Sequence, residues 1–330
     1  MTRRWVWHIA RLCVCASGLA FVIVGLEWDQ VELAWQRSDK VLLATSFIIF
    51  LPVLFVQSQR FAWMLRAQGI ALGYWDSLKL SCTGNFLNNF VPAGLVGGDV
   101  VKAYYVAQRT VHKTEAVTAV VLDRIVGLMV LTVIALVGLC IELEWATRHL
   151  EWFAGGLCAG LVLLLVTIIL RRALAGHAVE RFVERLPAAD HLRRVTRATL
   201  RLREHWPLTI AALASTLVAH TIILTSFVMA AIAVGMSPHV VSLFAFLAIS
   251  LLIAAIPISP AGLGTMEASM TVLMVGAGLG DKEQVLLLAM AMRAIQLLWS
   301  LPGGAMFAMG ACRMPPALSP RLEPDAAVEP

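Results

Sequence analysis

The sequence predicts an all-α polytopic membrane bundle of about eight spans, with re-entrant or broken helices and a candidate internal repeat. Three observations carry that expectation. Hydrophobic residues make up 59% of the chain against 14% charged, apolar runs of about 20 residues recur from end to end, and two short stretches echo each other. Pro92-Ala93-Gly94-Leu95 precedes Asp99 and Pro260-Ala261-Gly262-Leu263 precedes Glu267, an acid seven residues after the proline both times. An arginine then falls in an apolar segment, Arg124 lying 32 residues past Pro92 and Arg293 lying 33 past Pro260. Duplicated halves with Gly/Pro-broken apolar segments are the pattern of membrane carriers, whose site forms where helices are interrupted at the repeat interface.

The spans fall at 6–26, 41–58, 116–141, 152–170, 207–234, 240–257, 263–280 and 284–309. Each is close to the length that crosses a hydrocarbon core of about 30 Å at about 1.5 Å per residue. The first follows Arg3 and Arg4 as a signal peptide would, yet exits into Glu27, Trp28 and Asp29 without a small-x-small site, so it reads as a retained signal anchor. The interval 74–112 is semi-polar, with Asn85, Asn88, Asn89, Gly98, Asp99 and Lys102 among apolar residues. Backbone of that kind survives at membrane depth only when buried in protein or lining a wet cavity. A re-entrant hairpin is the first reading and a pair of interfacial helices the second. The segment 171–206 carries nine arginines around Val179, Phe182, Val183 and Leu186, the pattern of an amphipathic helix on an anionic leaflet, or simply of a topology determinant. A single transmembrane domain over 1–313 is expected, followed by a disordered, Pro-rich cytoplasmic tail over 314–330.

Lys and Arg crowd the loops on one side of this threading, while Glu27, Asp29, Glu32, Glu142, Glu144 and Glu283 collect on the other. The positive-inside rule then predicts a multi-pass protein of the cell inner membrane with both termini cytoplasmic. A sequence pI of 9.1 accordingly points to a membrane surface and not to nucleic acid. With 330 residues used almost wholly in spans, no soluble catalytic domain is expected. The six cysteines form no Cys-x-x-Cys pair and sit near no histidine cluster, so neither a metal nor another cofactor is expected. Gly156 and Gly160 read as a helix-packing pair, His220 as a satisfied interior histidine, and the tryptophans near span ends as interfacial anchors.

A charge at the centre of a span costs roughly 2.5–3.5 kcal/mol on insertion scales, so it persists mainly when paired or useful. Asp123, Arg124, Glu267 and Arg293 are placed that way. Adjacent Asp123 and Arg124 point about 100° apart on a helix, so each needs its own partner. Glu267 with Arg124 or Arg293, and Asp99 with the other, would knit the repeats together across a polar cavity. These groups are read either as structural ion pairs or as substrate-lining residues. The stretches Pro92–Gly98 and Pro257–Gly264 combine proline with glycines that let backbone approach closely, an arrangement suited to seating a phosphate. Asn85, Asn88 and Asn89 share one helix face, fit for helix contacts or for headgroup hydroxyls.

Asn85-Phe86-Leu87-Asn88-Asn89-Phe90-Val91-Pro92 with Gly97-Gly98-Asp99, then Asp123-Arg124, then Pro260-Ala261-Gly262-Leu263-Gly264 with Glu267, and finally Arg293 resemble the lysylphosphatidylglycerol synthase transmembrane region, or flippase-like domain, family. The resemblance runs from about 10 to 309. It implies a membrane part that flips lipids, here without the soluble synthase half, since the chain ends about 20 residues past its last span. Lipid aminoacylation is therefore not expected. Translocation of anionic or isoprenoid lipids is, with Asp99, Asp123, Arg124, Glu267 and Arg293 as cavity residues and Asn85, Asn89, Gly98 and Gly264 as further substrate contacts. A membrane-embedded lipid-modifying enzyme using Asp99 or Glu267, a non-catalytic partner of lipid-synthesis enzymes, and an ion-coupled solute transporter are the competing readings.

Overall fold

The computed structural model describes residues 28–90, 97–110, 113–141, 205–255, 262 and 264–309. The expected spans at 6–26 and 152–170, most of the arginine-rich segment 171–206, and the tail over 314–330 lie outside the described residues. Among those described, the secondary structure is helical throughout.

A short helix α1 (Trp28–Arg37) leads to Asp39, whose carboxylate accepts from the Val41 and Leu42 N–H groups at 2.9 and 3.0 Å and so starts α2 (Lys40–Phe50). A proline at 52 then interrupts the ladder before α3 (Pro52–Ala67). Proline has no N–H to give the Ile48 carbonyl, so the Leu51 N–H tightens onto it at 3.1 Å. The Phe47 carbonyl that this releases accepts from Trp299 Nε1 at 2.8 Å, with the indole stacked on the Phe47 ring. The two helices form one span, Lys40–Ala67, of 28 residues, which runs nine residues past the end of the 41–58 read from sequence. Gln57 lines a cavity and Ser58 is buried with its hydroxyl donating to the Leu54 carbonyl, so polar residues here do not end the span.

Next come α4 (Tyr74–Phe90) and α5 (Gly97–Ala107), separated by residues 91–96. The Gly98 N–H donates to Asn88 Oδ1 at 2.7 Å and Arg109 reaches Asp76 at 3.0 Å, pairings that only an antiparallel hairpin gives. Gly303 and Gly304 in α10 (Lys282–Ala308) meet the backbone at Cys82 and the Phe86 ring, and Arg293 and Gln296 share a cavity with Asn88 and Asn89. The closed end of the hairpin therefore lies level with the middle of a 27-residue span. That is the re-entrant arrangement, not an interfacial pair.

After α6 (Lys113–Ile141) and α7 (Trp206–Ala233) the motif repeats. Helix α8 (Val240–Ala255) and α9 (Thr265–Met270, continued by a π turn over Thr271–Val275) form a second hairpin, its open end fastened by the Ser237 N–H donating to the Leu279 carbonyl at 2.7 Å. The sequence reading of 240–257 and 263–280 as two separate spans needs correcting. Leu251, Ala254 and Ala255 toward the end of α8 and Met266 at the start of α9 line the same cavity as Arg293, which lies midway along α10, so the two arms meet at mid-depth. Nothing in so apolar a stretch betrays that it turns back.

The two units are inverted. Helices α2–α3 lie antiparallel to α7, since the Asp39 N–H donates to the Ala233 carbonyl, Ser226 Oγ to the Ser46 carbonyl, and Arg60 Nη1 to Thr216 Oγ1. Each unit is a span, a hairpin and a second span, and each hairpin packs on the closing span of the other unit: α4 on α10, and α8 on α6 where Gly138 abuts Ala245. Helices in lipid gain no hydrophobic drive from meeting, so small residues at these crossings supply contact through close approach.

Candidate functional site

Four charged residues at membrane depth need neutralising, and the inverted units bring their partners to one place. Between the closed ends of the two hairpins lies a cavity of ≈ 260 Å³. Gln57 and Arg60 of α3, Asn85, Asn88 and Asn89 of α4, Asp99 and Lys102 of α5, Asp123 and Arg124 of α6, His220 of α7, and Arg293 and Gln296 of α10 form its polar wall. Phe50, Leu128, Leu131, Ile223, Leu251 and Met266 form the apolar one.

Three ion pairs organise the polar wall. Arg124 Nη1 stands 3.8 Å from Asp99 Oδ2, and Arg293 Nε donates to Glu267 Oε1 at 3.2 Å, so each unit pairs its own acid with its own arginine. Asp123 is held by the Arg60 guanidinium, whose Nη2 donates to Oδ2 at 2.8 Å while Nε stands 2.7 Å from Oδ1 in an ion-pair contact. Neighbours Asp123 and Arg124 thus do take separate partners, as their angular separation requires. Lys102 adds a second cation to Asp99 at 3.7 Å. His220 Nδ1 lies 2.9 Å from the Thr216 carbonyl, to which it donates as the Nδ1–H tautomer, leaving Nε2 as an acceptor.

Of the residues singled out from sequence, Asn85, Asn89, Asp99, Asp123, Arg124 and Arg293 line the cavity together. Glu267 stands behind Arg293, its other oxygen accepting from the Gly264 N–H at 2.7 Å and closing the first turn of α9. Gly98 and Gly264 are not part of the wall. A Cβ on Gly98 would overlap the Gly84 carbonyl, so glycine there permits the α4–α5 crossing. Gly264 has φ +82, which only glycine adopts freely, and open space in front of it. The N–H groups offered at these two positions for a phosphate are engaged by Asn88 and Glu267. The remaining loop residues 91–96, 256–261 and 263 lie outside the described residues.

Sequence reasoning missed Arg60, Gln57 and Gln296 as site residues, named Lys102 only among the polar residues of 74–112, and read His220 as a satisfied interior histidine. Arg60 was assigned to a loop, yet it is 9% exposed within a span. A usable signal existed: Gln57 and Arg60 share a helix face, and Phe61 to Leu65 continue the apolar pattern beyond them. Lys102, one turn after Asp99, was equally legible.

The family model described as lysylphosphatidylglycerol synthase TM region matches residues 8–303. The chain belongs to this family. No curated protein matches it. Family membership and, among the described residues, four helices long and apolar enough to cross a bilayer make it a multi-pass integral membrane protein. In this family member the match covers both hairpins and all three cavity ion pairs.

Proposed function

We propose that the protein is a translocator of anionic or isoprenoid lipids, moving a headgroup through the cavity while the chains stay in the bilayer. The observation that carries this reading is the placement of a cationic pocket midway along the spans, between hairpins that enter from opposite ends. At ≈ 260 Å³ the space falls below the roughly 300 Å³ at which pockets for whole drug-sized ligands begin, and suits a headgroup better than a complete lipid. The apolar wall beside it offers the first methylenes of a chain a surface. Inverted units around a midplane site are what alternating access uses.

A carrier is favoured over an enzyme because Asp99, Asp123 and Glu267 each face an arginine, which leaves none standing as a general base beside a nucleophile. The lopsided Lys/Arg distribution supports an inner-membrane orientation with cytoplasmic termini, and membrane lipids as the partners. The test is movement of tail-labelled phosphatidylglycerol across proteoliposomes containing purified full-length protein. Transport is expected in wild type and at least a tenfold loss in Arg124→Ala and Arg293→Ala, because each removes a charge-assisted contact to the phosphate at the cavity wall. Rates equal to protein-free vesicles for every anionic and isoprenoid lipid tried would reject the proposal.

A further inference from the structure

Cations outnumber acids at the cavity, and the surplus has an address. Arg60 and Asp123 neutralise one another, and so do Arg293 and Glu267. Asp99 alone faces both Lys102 and Arg124, at 3.7 and 3.8 Å, beyond hydrogen-bond reach of either. With His220 counted as neutral imidazole, four cations meet three carboxylates among the described residues. The hairpin ends at 91–96 and 256–263 carry no charged side chain that could alter the balance locally. The Lys102 side chain is only 14% exposed and passes against Gly84, so its ammonium is fixed at the cavity and not free to snorkel away.

A charge held in a poorly hydrated site is stabilised most by a ligand that cancels it, while an excess of either sign is penalised. Building on the lipid-translocation reading, we infer that the site is matched to a headgroup with one net negative charge, a phosphodiester, and that Lys102 is the residue that sets this match. A phosphodiester brings the cavity to neutrality. A phosphomonoester carries about −1.5 to −2 at neutral pH and overshoots, while a zwitterionic headgroup leaves the surplus cation in place. Lys102 and Arg124 present donors to the phosphate, and Asp99, held between them, keeps both oriented when the cavity is empty. Asn85 and Asn89 lie on the same wall, within reach of hydroxyls on the alcohol esterified to the phosphate.

The experiment is calorimetric titration of purified full-length protein with four probes: dioctanoyl phosphatidylglycerol, dioctanoyl phosphatidic acid, dioctanoyl phosphatidylcholine, and glycerophosphoglycerol, the diester without chains. Wild type is expected to bind the lipid diester about tenfold more tightly than either the monoester or the zwitterion. Lys102→Met, which keeps length and packing but removes the charge, should bring diester and zwitterion together, and Lys102→Arg should restore the gap. Equal or tighter wild-type binding of the monoester or the zwitterion overturns the inference, as does an unchanged ranking in Lys102→Met. Should Lys102→Met not fold, the wild-type ranking and that of Lys102→Arg decide alone. If the ranking holds but no lipid crosses proteoliposomes, the charge match stands and translocation fails; if the chain-free diester binds as tightly as the lipid, the match stands and the ligand is a soluble diester.

Discussion

The two hairpins share a scaffold and differ in chemistry. In the first, Asp99 is followed one turn later by Lys102; in the second, Glu267 is followed one turn later by Met270, which is fully buried. Before Arg124 comes Asp123, bound by Arg60; before Arg293 comes Met292, also fully buried in the apolar core. The acid–arginine pair is thus common to both units, whereas a further pair and a further cation belong to the first alone. Symmetry builds the cavity, and its departure from symmetry supplies the charge. The difference continues into the arms. Helix α4 carries Ser77, Ser81, Thr83, Asn85, Asn88 and Asn89, while α8 is almost wholly apolar.

The sharpest way to break the comparison is steric. Gly98→Leu would drive a side chain into the Gly84 carbonyl and the Asn88 carboxamide, and backbone cannot yield as a flexible side chain can. A loss of roughly 3 kcal/mol or more is expected, at the upper end for overpacking, seen as loss of monodisperse protein or a large fall in Tm in detergent. A near-wild-type Tm would mean that the hairpin is not packed as tightly as its geometry demands.

Next in size is the contrast among the ion pairs. Removing either partner of Arg60–Asp123 strands a buried charge and should cost about 3–5 kcal/mol, whereas Arg60→Met with Asp123→Leu should cost clearly less than the sum. The same cycle on Arg124 and Asp99 should give a coupling of about 1 kcal/mol or less, because the Arg124 side chain is 39% exposed and the contact is long. Glu267 and Arg293 fall between. Equal coupling at all three pairs would erase the distinction between the pair unique to the first unit and the pairs common to both.

What was legible in the sequence follows the same line. The repeat and the re-entrant first hairpin could be read because polar residues in apolar surroundings announce themselves, as Asn85, Asn88, Asn89 and Asp99 do. The acid–arginine pairing could be read only down to two alternatives, and the observed pairs lie within each unit and do not tie the repeats together. The second hairpin could not, since a buried apolar arm such as Val240–Ala255 has the composition of a span and differs from one only in length and in what it packs against. Arg60 was hidden for the opposite reason. A basic residue beside three polar ones looks like a loop until its partner, 63 residues away on α6, is known.

The last contrast separates two reasons for glycine. Gly264 has φ +82 with open space where a Cβ would stand, so its constraint is conformational, whereas that at Gly98 is steric. Gly264→Ala should therefore fold, with a loss of about 1–2 kcal/mol from placing an L-residue in left-handed backbone. Asn tolerates that region better, so Gly264→Asn should recover part of the loss. Both variants should keep the Glu267 carboxylate on the residue-264 N–H, because that bond needs only backbone. Thermal unfolding in detergent ranks them. If Gly264→Ala proved as damaging as Gly98→Leu, packing would limit the second hairpin as well, and the two closed ends would be alike in a way their geometry does not suggest. If Gly264→Ala and Gly264→Asn both matched wild type, the positive φ would not be a requirement of the capped turn.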